Sequence, residues 1–424
     1  MKTTSIAINS SKDLSLLLNA IGDASVVMLG EASHGTHEYY TWRTAITKKL
    51  IQQKGFSFIA VEGDWPDCYK INRYVKGYPD AETDIHELLG NFKRWPTWMW
   101  ANWEVAALAE WLKEYNSTMP MEKRVGFYGL DMYSLWESLE AIVGYLEKED
   151  PKTLDAVKKA LACFEPYEHE GQFYARATSL LSNSCQDKVV DLLREIRKNA
   201  FHYDGDREAA FSTEQNARIA VSAEKYYSSL VGFDGNSWNI RDQHMMETLD
   251  HLRKFHQPNP KAVVWEHNTH IGDARATDMS EAGMVNIGQL AREKYKEENV
   301  FLVGFGSYKG KVIAGSEWGG PMQEMEVPPA RKGSIEELLY SHKAGNRLLI
   351  FNKLEGDKFL TTPLPHRAIG VVYHPESEKY GNYVPSVMSK RYNAFIFLEE
   401  TAALHPFYLR PDSRETPETY PFGV

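Results

Sequence analysis

The stretch that most constrains this chain runs from Val26 to Glu38, where an apolar run changes abruptly into polar residues. A short segment rich in valine ends at Gly30, and a carboxylate, a serine and a histidine follow within four positions. This pattern predicts a buried strand that delivers polar groups onto the turn at its C-terminal end. In open parallel sheets such ends line the crevice that binds ligands. Gly30 and Gly35 permit a tight backbone in this turn that bulkier residues would forbid.

Two further apolar runs, 56–61 and 262–265, end in the same manner. Any one of these exits alone is weak evidence for a site, since a solvated turn is the alternative. Three of them are more informative, because a buried carboxylate or imidazole is costly unless it is paired. We therefore expect the three exits to converge on one crevice. The polar residues that they contribute are Glu31, His34, Glu62, Asp64, Glu266, His267 and His270.

Strand-like and helix-like patterns alternate in the two outer parts of the chain, whereas residues 137–256 show helical patterns only. Alternation of this kind predicts an α/β fold with a mainly parallel central sheet flanked by helices. We expect residues 1–136 and 257–424 to form the two parts of this core, and 137–256 to be a large helical insertion. The predicted strands are 25–30, 56–61, 125–130, 262–265, 300–304, 311–314, 347–350, 369–372 and 394–398.

Charge and cysteine content narrow the functional classes. The net charge of −10 argues against nucleic acid or an anionic membrane as the main partner. No segment has the apolar core of a signal peptide or the roughly 18 apolar residues of a membrane span. Cys68, Cys163 and Cys185 are far apart in the sequence, which predicts reduced thiols in a cytoplasmic protein.

Histidine is the natural proton acceptor near neutral pH, and a carboxylate on its second ring nitrogen fixes the tautomer. We expect His34 to be this base, oriented by Glu31 or Glu266. An arginine among Arg43, Arg73 and Arg241 would then stabilise a developing oxyanion. Taken singly, each arginine is better explained by a surface ion pair. The clustered tryptophans Trp95, Trp98, Trp100 and Trp103 predict an aromatic subcore, with a flat wall for a bulky ligand as the alternative.

Two other chemistries compete with a histidine base. Ser33 as a nucleophile is disfavoured, because Glu31 stands where a nucleophile elbow has its first glycine. A metal site is the stronger competitor, since His34 and His37, and likewise His267 and His270, are spaced as H-x-x-H after predicted strands. Two histidines and a carboxylate suffice for catalytic zinc or iron.

Four motifs together resemble the erythromycin esterase family. They are GEASHGTHE at 30–38, VEGD at 61–64, Arg241-Asp242 with Met245, and WEHN at 265–268 followed by His270. The resemblance spans residues 15–405. It implies an α/β sheet with a helical bundle that forms a deep cleft, and hydrolysis of a macrolide lactone without a covalent intermediate.

The resemblance also implies roles for individual residues. His34 would activate water, Glu31 would be its acidic partner, and Arg43, His267 and His270 would support them. Some members of the family have no proven substrate, so a hydrolase site is implied more firmly than a macrolide. The expected partner is a small ester or lactone, and no cofactor or bound metal is expected. A metal-dependent hydrolase and a non-catalytic binding protein on the same scaffold remain the alternatives.

Overall fold

The computed structural model describes residues 4–167, 171–181, 184–199, 206–230, 236–351 and 361–407. The chain forms two compact units. The first consists of Met1–Val61, Ile71–Phe127 and Pro258–Val424, and the second of Glu62–Lys70 and Tyr128–Gln257.

A nine-stranded sheet organises the first unit. Its strands are β1 (Thr4–Ala7), β2 (Val26–Leu29), β3 (Phe58–Asp64), β4 (Gly126–Asp131), β5 (Ala262–Trp265), β6 (Val300–Gly315), β7 (Met322–Val327), β8 (Arg347–Ile350) and β11 (Ala394–Thr401). Their order across the sheet is β1-β8-β11-β6-β2-β5-β3-β4, and β7 pairs with β6. A separate two-stranded sheet pairs β9 (Leu364–Arg367) with β10 (Tyr383–Ser386).

The centre of the large sheet is parallel: β2 pairs with β5 and β6, β3 pairs with β5, and β11 pairs with β6. Antiparallel pairing is found towards β1, β7 and β8. All four residues of β2 and of β5 are buried, as expected for strands covered on both faces. The predicted mixed α/β fold with a mainly parallel sheet is confirmed.

Helices connect these strands. Those with residues in the first unit are α1 (Ser15–Ile21), α2 (His37–Lys54), α3 (Trp65–Lys76), α4 (Ile85–Gly90), α5 (Trp103–Ser117), α12 (Asn268–Ile271), α13 (Ile287–Tyr295), α14 (Ile335–His342) and two short helices, Glu378–Gly381 and Met388–Arg391. Helix α2 ends at Gly55, whose left-handed φ of 68° suits glycine at this position.

The second unit consists mainly of helices. These are α6 (Leu135–Glu149), α7 (Leu154–Phe164), α8 (Gly171–Leu181), α9 (Gln186–Asn199), α10 (Arg207–Ser229) and α11 (Asn236–Phe255). Cys163 and Cys185 form a disulfide within this unit, so the expectation of reduced thiols is wrong for these two residues. Their separation of 22 residues gives no recognisable spacing motif, whereas helix packing brings their Cα atoms to 5.9 Å. Cys68 is free and buried.

The structure differs from the sequence prediction in three places. Residues 369–372 form isolated bridges rather than a strand, although Ile369 is buried in an apolar cluster with Val312 and Val327. The predicted strands 300–304 and 311–314 are parts of one long strand, β6. Trp103 is 56% exposed and lies outside the buried tryptophan group of Trp95, Trp98 and Trp100. No helix among the described ranges is long and apolar enough to cross a membrane.

Candidate active site

The ends of β2 and β5 lie side by side and present the first candidate residues together. The two strands are parallel neighbours, and Leu29 is in register with Trp265. The chains stay paired beyond the strands, because the amide of Asn268 donates to the carbonyl of Glu31 at 2.8 Å. The turns that carry Glu31 and His267 are therefore held against each other by the backbone.

Two residues, Gly30 and Asn268, fix this junction. A Cβ on Gly30 would lie 2.1 Å from Oδ1 of Asn268, so no larger residue fits without displacing that side chain. Asn268 in turn donates from Nδ2 to the carbonyl of Phe305 at 2.7 Å and accepts the amide of Phe305 at 3.2 Å. The small residue predicted at this turn thus serves close packing between β2, β5 and β6.

Glu31 connects a histidine and an arginine through its two oxygens. Oε1 is 2.9 Å from Nδ1 of His34, and Oε2 is 2.6 Å from Nη2 of Arg43. All three residues are at most 2% exposed. Glu31 is the carboxylate that contacts Nδ1 of His34, one of the two that the sequence offered.

Arg43 lies between two aromatic rings that fix its guanidinium. Its Cζ lies 4.4 Å from the ring centroid of Tyr40 and 4.6 Å from that of Trp265. Stacking of this kind and a buried carboxylate suit arginine rather than lysine. Burial raises the pKa of the Tyr40 phenol well above its ordinary value, and this hydroxyl donates to the carbonyl of His34 at 3.1 Å. The side chain of Tyr40 therefore contacts both the loop that carries His34 and the guanidinium of Arg43.

The residues that follow β5 add buried polar side chains next to those that follow β2. The ring centroid of His267 lies 5.1 Å from that of His34. Nδ1 of His267 is 2.8 Å from Oγ1 of Thr269. Glu266 and His270 are fully buried next to them in sequence. The structure therefore brings Glu31, His34, Arg43 and His267 together.

Glu62 and Arg241 belong to a charge cluster in the second unit. Nη2 of Arg241 is 2.8 Å from Oε1 of Glu62 and 2.6 Å from Oδ2 of Asp131. Burial lowers the pKa of this guanidinium, but Asp131 and Glu62 outweigh it, and the net pKa is raised well above the ordinary value. Sequence reasoning missed Asp131, although its position at the end of an apolar run was the same signal that marked Glu62.

Two predicted site residues show other surroundings. Arg73 is paired with the exposed Asp80, and its Cζ lies 3.8 Å from the ring centroid of Tyr78. Asp64 is half-buried at the end of β3. The assignment of Arg73 and Asp64 to the site stays a prediction.

The two histidines of the first H-x-x-H pair, His34 and His37, contact different carboxylates. His34 contacts Glu31, whereas Nδ1 of His37 lies 2.5 Å from Oε1 of Glu104. Among the described residues, the one cluster of three or more side chains with metal-ligating spacing is His37, Glu104 and His405. A metal site built from both H-x-x-H pairs, the alternative to a histidine base, is not tested by these contacts.

Comparison with known proteins gives consistent results. The family model for erythromycin esterase matches residues 51–401. A putative hydrolase, YbfO, of Bacillus subtilis (strain 168) is 22% identical over 414 residues, which cover 92% of this chain and 86% of the relative. Erythromycin esterase type II of Escherichia coli is 22% identical over 368 residues, which cover 81% of this chain and 85% of the relative.

A solved structure shares the fold. A mutant of the erythromycin esterase EreC in its open conformation superposes with a TM-score of 0.69 at 14% identity, covering 94% of this chain and 98% of that one. The family match extends over most of the chain and includes β3, β5, β6 and the helices between them. From its fold and from this match, the chain belongs to the erythromycin esterase family.

Proposed function

We propose that this protein is an esterase-type hydrolase in which His34 activates water for attack on an ester or lactone carbonyl. The observation that carries the proposal is the buried contact of Glu31 with both His34 and Arg43. A carboxylate held in this manner fixes the orientation of the imidazole, which is what a general base requires.

The proposed proton path follows from that contact. The Nδ1–H group of His34 donates to Glu31, so Nε2 is the nitrogen that takes a proton from water. The hydroxide equivalent adds to the carbonyl carbon, and the carbon–oxygen bond of the ester then breaks. The proton on Nε2 passes to the leaving alkoxide, which restores neutral His34 and releases an acid and an alcohol.

The neighbouring groups have separate proposed roles. Arg43 is bound to Glu31 and lies between two aromatic rings, so its contacts favour holding Glu31 in place. His267, whose ring lies next to that of His34, is the candidate for polarising the carbonyl oxygen, with His270 as its support. Donors placed where charge develops commonly provide the largest part of such catalysis.

A serine nucleophile is disfavoured by the contacts of Ser33. Its hydroxyl forms a short contact with the hydroxyl of Thr36. A nucleophilic serine instead needs an adjacent base that accepts its proton. We therefore propose direct attack by water, without an acyl-enzyme.

The proposed substrate class is an ester or a lactone, with macrolide lactones as the first candidates because of the family. Inactivation of a macrolide antibiotic is the corresponding proposed role. The relatives named for erythromycin cleavage share only 22% and 14% of their residues with this chain.

The test is a panel of nitrophenyl esters and macrolides, monitored by mass spectrometry for the gain of one water. Single turnover in ¹⁸O-water should place the label in the released acid and leave the protein mass unchanged. An acyl adduct on the Ser33 peptide would replace the water mechanism with a serine nucleophile. Binding of these compounds without any turnover would instead identify a binding protein on the same scaffold.

A further inference from the structure

The cluster of metal-ligating side chains formed by His37, Glu104 and His405 is separate from the proposed proton path. One ligand atom from each residue lies within 4.8 Å of the other two. Nδ1 of His37 and Nδ1 of His405 are 2.5 Å and 2.6 Å from the same carboxylate oxygen, Oε1 of Glu104. The two imidazole rings are edge to face, with centroids 5.0 Å apart. Three donors thus converge on a small volume.

The backbone brings these three residues together from distant parts of the chain. His37 and Glu104 lie in the first turns of α2 and α5, and His405 lies in the segment that follows β11. The amide of His37 donates to the carbonyl of Ala402, and the amide of Trp103 donates to the carbonyl of His405, both at 3.0 Å. Residues 402–407 are therefore fastened to both helices independently of the side chains.

The carboxylate at the centre is suited to a cation. The Glu104 side chain is 5% exposed, and its Oε2 atom is buried and receives no hydrogen bond from another described residue. A buried carboxylate with one oxygen that lacks a hydrogen-bond partner is expected to gain from a closer positive charge.

The edge of the cluster is open to solvent. The side chain of His405 is 60% exposed and that of His37 is 33% exposed. Two histidines, one carboxylate and a solvent-accessible position form the donor set of a four-coordinate zinc site with one water ligand. Ligand atoms in such a site are about 3.3 Å apart, so the carboxylate oxygen would move from each ring by less than about 1 Å.

We propose that His37, Glu104 and His405 bind a divalent transition-metal ion that fastens residues 402–407 to the first turns of α2 and α5. Imidazole and carboxylate donors suit zinc and its neighbours in the first transition row. Binding requires both Nδ1 atoms to be free of protons, so affinity decreases as the pH is lowered. The site takes no part in the proposed hydrolysis, and its test does not depend on activity.

The experiment uses the tag-free, full-length protein stripped of metal by a chelator. Zn²⁺ is titrated in competition with a chromophoric chelator, and Co²⁺ is added in parallel to record visible absorption bands. We expect one equivalent to bind, tetrahedral Co²⁺ bands to appear, and the melting temperature to rise with Zn²⁺. Absence of saturable binding would overturn the proposal.

Variants assign the ion to this cluster. His405→Ala removes an exposed ligand, and Glu104→Gln removes the central carboxylate with little change in volume. Each should weaken Zn²⁺ binding by more than the ~10–100-fold that loss of an outer-sphere partner costs. His342→Ala, at an exposed histidine at the end of α14, is the matched control and should bind Zn²⁺ as the wild type does. Unchanged affinity in His405→Ala and Glu104→Gln, or loss of binding in His34→Ala alone, would place the ion elsewhere and contradict the proposal.

Discussion

Replacement of Glu31 by glutamine tests the pairing at the centre of the candidate site. Glutamine keeps the volume and removes the charge, which leaves the guanidinium of Arg43 buried without its 2.6 Å carboxylate partner. Arg43 is 1% exposed, so little solvent compensates. Removal of one partner from a buried pair costs about 3–5 kcal/mol of unfolding free energy. We expect Glu31→Gln to lose stability in that range.

A double-mutant cycle separates this charge effect from catalysis. Arg43→Met keeps an apolar side chain between Tyr40 and Trp265, and the double variant buries no unpaired charge. We expect Glu31→Gln/Arg43→Met to regain most of the stability that Glu31→Gln loses, with a coupling of about 2 kcal/mol or more. Activity should stay low in the double variant, because an amide can donate to Nδ1 of His34 and favour the wrong tautomer.

Two assays are read together. Unfolding in urea gives the free energies of the four proteins, and hydrolysis of one ester gives their kcat values. In Glu31→Gln we expect kcat to fall on the order of 10²-fold, somewhat less than after loss of the base itself. Additive stability losses below about 1 kcal/mol each would refute a buried ion pair. Recovery of activity in the double variant would show that Glu31 acts only through Arg43.

Three further predictions concern the nucleophile, the metal and acid stability. Ser33→Ala should leave kcat nearly unchanged, and loss of turnover there would favour a serine nucleophile. Treatment with a chelator should leave hydrolysis intact even if Zn²⁺ binds elsewhere, whereas loss that added metal restores would favour metal-activated water. Burial lowers the pKa of His244 to about 4, whereas the ordinary value of 6.5 applies in the unfolded chain. The unfolded chain therefore binds a proton more readily, so the contribution of His244 to the free energy of unfolding is present above pH 6.5 and decreases as the pH falls towards 4. His244→Asn should therefore reduce the loss of unfolding free energy between pH 7 and 4 by roughly 3 kcal/mol or less, and an unchanged profile in urea melts would contradict this.

The sequence predicted the parts of the fold in which local pattern and packing agree. The exits of β2 and β5 each combine a short apolar run with polar residues, and the two lie in register in the sheet. The contact of Glu31 with His34 is also local, since His34 is three positions after Glu31 on one turn. Such features are encoded within a few positions and can be recognised without tertiary information.

The predicted strands 300–304 and 311–314 are joined in the structure for a physical reason. They are parts of β6, which continues through Gly304, Gly306 and Gly310. A Cβ on Gly304 would lie 2.7 Å from the ring of Tyr392, so this glycine makes room for an aromatic side chain rather than for a turn. The role of Gly304 therefore follows from tertiary packing and not from a local turn.

Some long-range partners could not be predicted. Glu104 is 67 residues from His37 and 301 from His405, and no spacing rule connects such positions. The Cys163–Cys185 disulfide and the pairing of Asp131 with Arg241 depend in the same way on tertiary packing. Each of these partners became apparent only once the backbone was folded.

The kcat of His34→Asn tests most directly whether His34 is the general base. The variant should be compared with the wild type on one ester or lactone substrate, after far-UV circular dichroism has shown equal folding. We expect a kcat lower by about 10²–10⁴-fold with KM little changed, because a proton acceptor acts mainly in the transition state. A kcat within about threefold of the wild type would contradict it and make His270 the candidate base.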